Sequence, residues 1–96
     1  MTVNISLQSV VVATDGQLHA DIEADTIVLH TDTQMYYSLN PVAGRIWELL
    51  QEPRSVEQIK ETIVREYDVS PAHCETDLLE FLASLSEKGL VEVQES

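Results

Sequence analysis

The first forty residues alternate between apolar and polar positions with the two-residue period of β-strands. Short polar or glycine-containing stretches divide this region into four extended segments: SVVVAT at 9–14, QLHADIE at 17–23, TIVLHT at 26–31 and QMYYSL at 34–39. Asp15 and Gly16 separate the first two segments, and an Asp-Gly dipeptide favours the two-residue turn of a β-hairpin. We therefore predict that the first two strands pair as a hairpin.

The same alternation assigns strand residues to opposite faces. Leu18, Ala20 and Ile22 oppose His19, Asp21 and Glu23 in the second segment; Ile27 and Leu29 oppose Val28 and His30 in the third; Met35, Tyr37 and Leu39 oppose Tyr36 and Ser38 in the fourth. We expect His19 and His30 to point outward into solvent. Tyr37 is expected in the core, which leaves Tyr36 and Ser38 pointing the other way.

After Asn40 the apolar spacing changes to the 3.6-residue period of α-helices, three times over. The start signals are Asn40 with Pro41, the capping box of Ser55 with Gln58, and Ser70 before Pro71. The stop signals are Glu52-Pro53, Asp68, and Gly89 after a third helix that runs to about Lys88. The apolar stripes are Val42, Ile46, Leu49 and Leu50; Val56, Ile59, Ile63 and Tyr67; and Cys74, Leu78, Phe81, Leu82 and Leu85.

An antiparallel sheet followed by three helices predicts an α+β domain. Three short, tightly linked helices with a flanking hairpin suggest a winged helix-turn-helix, and the tail LVEV, residues 90–93, alternates and is expected to form a short wing-like strand. No repeat or low-complexity linker interrupts the chain, and its 96 residues suit one modest core, so residues 1–96 are interpreted as a single domain. Trp47 is expected in that core, and Gly44 where a helix approaches a strand closely.

Charge narrows the range of functions. Five Lys and Arg residues against 17 Asp and Glu residues give a net charge of −12, and such a surface repels nucleic acid and anionic lipid. The third helix would be the DNA-reading helix of a winged helix-turn-helix transcription factor. It carries Glu75, Asp77, Glu80 and Glu87, with only Lys88 at its end. We therefore expect no nucleic-acid partner and rank a transcription factor low.

The side chains that could carry catalysis do not form a recognisable set. His73 and Cys74 are neighbours on a helix and project about 100° apart, so they are poorly placed to act as a nucleophile and its base. The three histidines lack metal-ligand spacing, and the three glycines are scattered instead of forming a phosphate loop. We expect a protein that is not an enzyme, needs no cofactor or metal, and keeps Cys74 in its core.

The sequence also favours a location. A single cysteine cannot form an internal disulfide, and no apolar run is long enough to span a bilayer. The start MTVNISLQS lacks the basic residues and the apolar block of a signal peptide. These features predict a cytoplasmic protein with no membrane partner.

The order of several motifs resembles one known family. A strand ends in Tyr-Tyr-x-Leu-Asn at residues 36–40, and Gly44, Ile46, Trp47 and paired leucines follow it. Downstream come Ser55-Val56-x-x-Ile59, Tyr67, Asp77-Leu78, Leu82, Leu85 and Gly89-Leu90. Over about residues 8 to 93 this pattern resembles the PqqD family, in which the order and spacing of the motifs are more specific than any one of them.

The resemblance implies a RiPP recognition element, a small winged helix-turn-helix domain that binds the leader of a ribosomally made precursor peptide. The leader is implied to add as a strand along the sheet edge and to pack against the third helix, because an open edge pairs with a peptide of any sequence. The implied peptide-binding residues are Gln34, Met35, Tyr36, Tyr37, Ser38 and Leu39 on the strand, and Cys74, Asp77, Leu78 and Phe81 on the helix. Leu82 and Leu85 lie nearer the centre of the stripe and are assigned to the core.

A free-standing protein of this kind resembles the recognition proteins of lasso-peptide pathways. The implied partners are then the precursor leader peptide, a leader peptidase and a macrolactam-forming cyclase. A peptide chaperone of the PQQ pathway, or one that serves a radical SAM enzyme, is the alternative. The residues alone leave the choice between these pathways open.

Overall fold

A computed structural model describes residues 5–94. The first four residues of MTVNISLQS, on which the signal-peptide prediction partly rests, lie outside this range. The elements in chain order are β1 (Val10–Ala13), β2 (Gln17–Ile22), β3 (Asp25–His30), β4 (Met35–Leu39), α1 (Pro41–Leu49), β5 (Arg54–Ser55), α2 (Val56–Tyr67), α3 (Pro71–Glu87) and β6 (Val91–Gln94). The predicted α+β class is confirmed, whereas the winged helix-turn-helix description stays a prediction.

The strands form two separate antiparallel sheets instead of one. One sheet has the order β5-β1-β6 and the other has the order β2-β3-β4. The predicted hairpin between the first two strands is therefore wrong, although Gly16 does adopt the positive φ of a turn, at 88°. Both edges of β1 are occupied by β5 and β6, so the turn at Asp15 and Gly16 leads the chain from one sheet to the other. Long-range pairing has overridden a local turn signal.

Helix starts follow the predicted capping residues closely. The Asn40 side chain accepts a hydrogen bond from the Ala43 N–H at 2.8 Å, and Ser55 and Gln58 form both bonds of a capping box. Ser70 stands at the N-cap of α3 but its side chain makes no capping bond. Local capping chemistry thus defines where α1 and α2 begin.

The helical stripes meet the sheets in one core. The buried apolar side chains are Val11, Val28, Leu39, Ile46, Trp47, Leu49, Leu50, Val56, Ile59, Ile63, Cys74, Leu78, Leu82, Leu85, Leu90 and Val91. Trp47, Leu82 and Leu85 are buried as predicted. Tyr67 is an exception, because it lies at the last residue of α2 and is 37% exposed.

Helix α1 packs on one face of the β2-β3-β4 sheet, which we call the inner face. A Cβ atom added to Gly44 would lie 2.6 Å from Oγ1 of Thr26 on β3. No real Cβ atom is found so close to another atom, so the predicted close approach of helix and strand at Gly44 is confirmed. Thr26 is itself buried, and its hydroxyl donates to Asp21 Oδ1 at 3.0 Å.

The predicted outward, solvated position is wrong for His30, whereas His19 is exposed as predicted although strand register places it on the same face as Val28. His30 is buried, with 8% of its surface exposed, and shares the inner face with Val28. His19 pairs directly with Val28 across the sheet, and its Nδ1 accepts a hydrogen bond from the Trp47 indole N–H at 3.4 Å. The buried Val28 fixes which face of β3 is inside, and strand register then carries that assignment to His19.

Candidate functional site

An apolar pocket opens between the N-terminal halves of α1 and α3. Its volume is about 610 Å³, which lies within the range that holds a ligand or an anchoring side chain. The lining residues are Asn40, Val42, Ala43, Ile46, Ile63, Val69, Ser70, His73, Cys74, Asp77, Leu78 and Phe81. We call this cavity the α1–α3 pocket.

Helical spacing brings the α3 side of the pocket together. Cys74, Leu78 and Phe81 recur at intervals of four and three residues, so they project from one side of α3, and Asp77 lines the pocket beside them. Leu78 is buried and Phe81 is half-buried. All four helix residues singled out from the sequence therefore line one pocket.

The remaining walls come from residues that sequence reasoning did not single out for the site. α1 contributes Val42, Ala43 and Ile46, α2 contributes Ile63, and the loop before α3 contributes Val69. The apolar periodicity of α1 was visible in the sequence, but a helical wheel does not show which neighbouring helix it faces. The sequence therefore showed that these residues are apolar and periodic, but it did not show that they line a pocket.

Cys74 behaves as a structural residue in this wall. Its side chain is buried, and its Sγ lies 4.0 Å from the Lys60 carbonyl oxygen. Burial raises the pKa of the Cys74 thiol, an effect that nearby Lys60 partly opposes. A thiol with a raised pKa is a poor nucleophile at neutral pH, so the sulfur contributes packing to the pocket and not reactivity.

Strand β4 leaves one edge of its sheet open. In the order β2-β3-β4 it pairs only with β3, through residues 35–39, so one of its long edges has no strand partner among residues 5–94. Met35 and Tyr36 are exposed, at 54% and 71% of their surface, while Tyr37 is half-buried and Leu39 is buried. Gln34 lies outside the strand, in a turn with a φ of 59°. The edge predicted for residues 34–39 thus starts one residue later.

The open edge and the pocket are adjacent. Strand β4 ends at Leu39, and the next residue, Asn40, lines the α1–α3 pocket while it caps α1. At the other end of α3, Lys88 Nζ lies 5.9 Å from the centre of the Tyr37 ring. Strand β4 therefore ends beside the pocket at Asn40, although residues 34–39 do not themselves line the pocket.

The cations are gathered on the helical side of the molecule. Arg45 on α1 makes a two-pronged contact with Glu66 on α2 at 2.9 Å, and Lys60 on α2 pairs with Glu75 on α3 at 3.0 Å. The side-chain bond from Arg45 lowers the pKa of the Glu66 carboxyl. These pairs tie the helices together and leave Asp77 as the acidic group at the pocket.

Two observations bear on other classes of function. Among residues 5–94, no three His, Cys, Asp or Glu side chains come together in an arrangement that could hold a metal ion. Within the same range, the helices are too short or too polar to cross a membrane.

Comparison with known proteins identifies the family. The family model for coenzyme PQQ synthesis protein D (PqqD) matches residues 25–91, and this chain therefore belongs to the PqqD family. The resemblance seen in the sequence is confirmed. A search of curated proteins found no significant match.

Three solved structures are similar over most of the chain. TbiB1 in complex with the TbiA(beta) leader peptide is 35% identical, with a TM-score of 0.79 over 88% of this chain and 99% of that one. The PqqD truncation of Methylobacterium extorquens PqqCD, a RiPP recognition element, is 25% identical, with a TM-score of 0.77 over 93% and 95%. Lasso peptide synthetase B1 complexed with the leader peptide is 22% identical, with a TM-score of 0.75 over 85% and 96%, which supports the fold alone.

Proposed function

We propose that this protein is a recognition protein without catalytic activity that binds the leader of a ribosomally made precursor peptide. The observation that carries the proposal is the open edge of β4, which leads directly into an apolar pocket. Backbone groups on the edge would supply sequence-independent pairing, and the pocket would select an apolar side chain of the leader. The 35% identical relative whose structure contains a leader peptide supports this function.

The site residues of the proposal fall into two groups. Met35, Tyr36, Tyr37, Ser38 and Leu39 form the strand that the leader extends, with Gln34 at its entrance. Cys74, Asp77, Leu78 and Phe81 form the α3 wall of the pocket. The acidic surface favours a leader that is neutral or basic.

The bound precursor would then be presented to modifying enzymes in the cytoplasm. We favour a lasso-peptide pathway, with a leader peptidase and a cyclase as partners, because the sequence resemblance implies it; the 35% identical relative TbiB1 is likewise bound to a leader peptide. A peptide chaperone of the PQQ pathway is the second candidate, since the matching family model is described as coenzyme PQQ synthesis protein D.

Hydrogen exchange tests strand addition without altering the protein. On addition of the synthetic leader from the precursor encoded beside this chain, with the TbiA(beta) leader as a second probe, amides of residues 35–39 should gain protection. Those in the first half of α2, residues 56–61, which do not line the α1–α3 pocket, should not change. Protection confined to the helices would refute strand addition and indicate a helical peptide in the pocket.

A matched pair of substitutions on α3 tests the pocket. Phe81→Ala should weaken leader binding by about tenfold or more, because it removes an aromatic wall of the pocket. Leu79→Ala removes a half-buried side chain of the same helix that does not line the pocket, and it should leave affinity within about twofold. The leader affinities of the two variants are compared by calorimetry with EDTA present. The temperature is one at which circular dichroism shows that both variants are folded. Equal effects would place the leader elsewhere.

A further inference from the structure

The outer face of the β2-β3-β4 sheet, opposite α1, has an unusual pattern. An antiparallel sheet with one solvated face normally turns its polar residues outward. On β2 the order is reversed: Gln17, His19 and Asp21 share the inner face with Val28 and its neighbours, while Leu18, Ala20 and Ile22 point outward. Leu18 and Ile22 are 61% and 59% exposed.

Strand register extends this apolar surface across all three strands. Leu18 pairs with Leu29, which pairs with Tyr36, and Ala20 pairs with Ile27 in the next row. Directly paired residues point to the same side of a sheet, so these side chains form one patch. We call it the outer patch; Leu18, Ala20, Ile22, Ile27, Leu29 and Tyr36 define it.

Acidic groups surround the outer patch and cations are absent from this part of the chain. Asp15, Glu23, Asp25 and Asp32 are exposed in or beside the turns that bound it, and Asp25 shares the outer side with its pair Ile22. The first Lys or Arg in the sequence is Arg45, which lies on the helical side of the sheet and is engaged with Glu66. The turns at both ends of the patch are therefore acidic.

Size and charge together determine the kind of partner. Three strands about 4.8 Å apart and about 20 Å long give a footprint near 280 Å², well below the roughly 800 Å² per partner of a stable interface. A second copy would also bring one acidic rim against another, which costs energy through repulsion. Anionic lipid and nucleic acid are repelled for the same reason.

We propose that the outer patch docks a modifying enzyme through an apolar contact ringed by Lys and Arg side chains. The proposal rests on the proposed function, because it assigns the presenting surface of a protein whose proposed leader site is the open edge of β4 with the α1–α3 pocket. A small, electrostatically guided contact suits a carrier that must associate quickly and release its enzyme after each precursor.

The test separates presentation from leader binding. The probe is the purified leader peptidase encoded beside the precursor, and the readout is precursor cleavage as a function of the concentration of this protein. The double variant Leu18→Thr/Ile22→Thr places threonine, a β-branched residue that suits strands, at both positions of β2. It should raise the half-saturating concentration by about tenfold or more, while leader affinity measured by calorimetry stays within about twofold.

The control substitutes an apolar residue of the other sheet. Val93→Thr changes β6, which pairs with β1 in the β5-β1-β6 sheet and lines neither the outer patch nor the α1–α3 pocket, and it should behave like the parent in both assays. In the parent, raising NaCl from about 50 to about 300 mM should also raise the half-saturating concentration, since salt screens a charged rim.

Each other outcome overturns the inference. Parent-like cleavage with the double variant means that the outer patch does not dock the enzyme, and an equal loss of leader affinity assigns the patch to the leader site. A concentration-dependent dimer in sedimentation velocity that the double variant abolishes identifies a second copy as the occupant. Failure of the parent itself to bind leader would instead contradict the proposed function.

Discussion

The two faces of the β2-β3-β4 sheet differ in burial although the same three strands form both. The inner face is covered by α1, and it buries Thr26, Val28 and His30. The outer face leaves Leu18 and Tyr36 more than half exposed. The covered face is thus the one that contains histidines and a threonine, and the open face is aliphatic and aromatic. Helix packing, and not hydrophobicity alone, decided which face became the core.

The reason lies in how closely α1 approaches β3. Gly44 lets the helix backbone come against Thr26, and Trp47 one turn later reaches His19. Some polar groups on the inner face find partners, as Thr26 does with Asp21 and His19 with Trp47, which offsets the cost of covering them; among residues 5–94, His30 Nδ1 and Gln17 Oε1 are buried without one. An apolar face that is left open has no such structural explanation, and this contrast is what suggests a binding role for it.

The largest expected effect contrasts two aromatic residues on opposite sides of the sheet. Trp47→Ala should destabilise the protein by about 3–5 kcal/mol, because the indole is almost fully buried. Tyr36→Ala should change stability by no more than about 0.5 kcal/mol, because the ring is largely in solvent. Urea denaturation with similar m-values measures both changes.

A third variant refines this contrast. Trp47→Phe keeps an aromatic ring and removes the hydrogen bond to His19, so it should cost less than Trp47→Ala. If Trp47→Ala and Tyr36→Ala reduced the free energy of unfolding by similar amounts, the outer face would be covered in solution. That result would contradict the exposure of the outer patch.

The next effect concerns the contact that holds α1 on the inner face. Gly44→Ala gains helix propensity worth about 1 kcal/mol, but its Cβ would meet the Thr26 hydroxyl at 2.6 Å. Thr26 is buried and bonded to Asp21, so it cannot easily turn away. We expect a net loss of about 1–3 kcal/mol from the overpacking.

A double-mutant cycle isolates that contact. In a Thr26→Ala background the hydroxyl is gone, so adding Gly44→Ala should cost at least about 1 kcal/mol less than it does in the parent. Thermal and urea denaturation of the four proteins give the coupling. A stabilising Gly44→Ala in the parent would show that the helix and sheet are less tightly packed than the structure indicates.

How much the sequence could predict depended on whether the signal was local. The caps at Asn40 and Ser55 depend on residues within a few positions of each other, and they were predicted correctly. The pairing of β1 with β6 joins Val11 to Val93, and nothing near Asp15 and Gly16 could reveal it. The two-residue strand β5 was also missed, because it is too short to show an alternation.

The prediction of which face of β2 points inward was wrong for a related reason. Alternation separates Leu18 from His19 but does not say which of them faces the helices. The rule that polar residues point outward chose wrongly, because register with Val28 decided the matter. For the candidate site, spacing along α3 brought Cys74, Leu78 and Phe81 together, whereas the α1 side depended on a helix contact that no local pattern encodes.

The smallest expected effect concerns the ion pair on the covered side. Arg45 lies on the helix that covers the inner face, and its two bonds to Glu66 join α1 to α2. The pKa of Glu66 is lowered by this contact. A carboxyl with a depressed pKa in the folded state stabilises the protein fully above its unfolded pKa and loses that contribution as pH falls through the folded value.

Glu66→Gln should therefore reduce stability slightly at pH 7 and make the decline between about pH 5 and pH 2 shallower than in the parent. The Arg45 and Glu66 side chains keep 32% and 35% of their surface exposed, so solvent screens the pair; the change is small and should weaken further in high salt. Urea denaturation across that pH range, repeated with Arg45→Met and with the double variant, measures it. If the pair acts as one unit, adding Glu66→Gln to Arg45→Met should leave the pH profile unchanged. If Glu66→Gln still altered the pH profile in the Arg45→Met background, Glu66 would interact mainly with another group. The position of α1 on the inner face would then depend on packing at Gly44 and Trp47, without help from this ion pair.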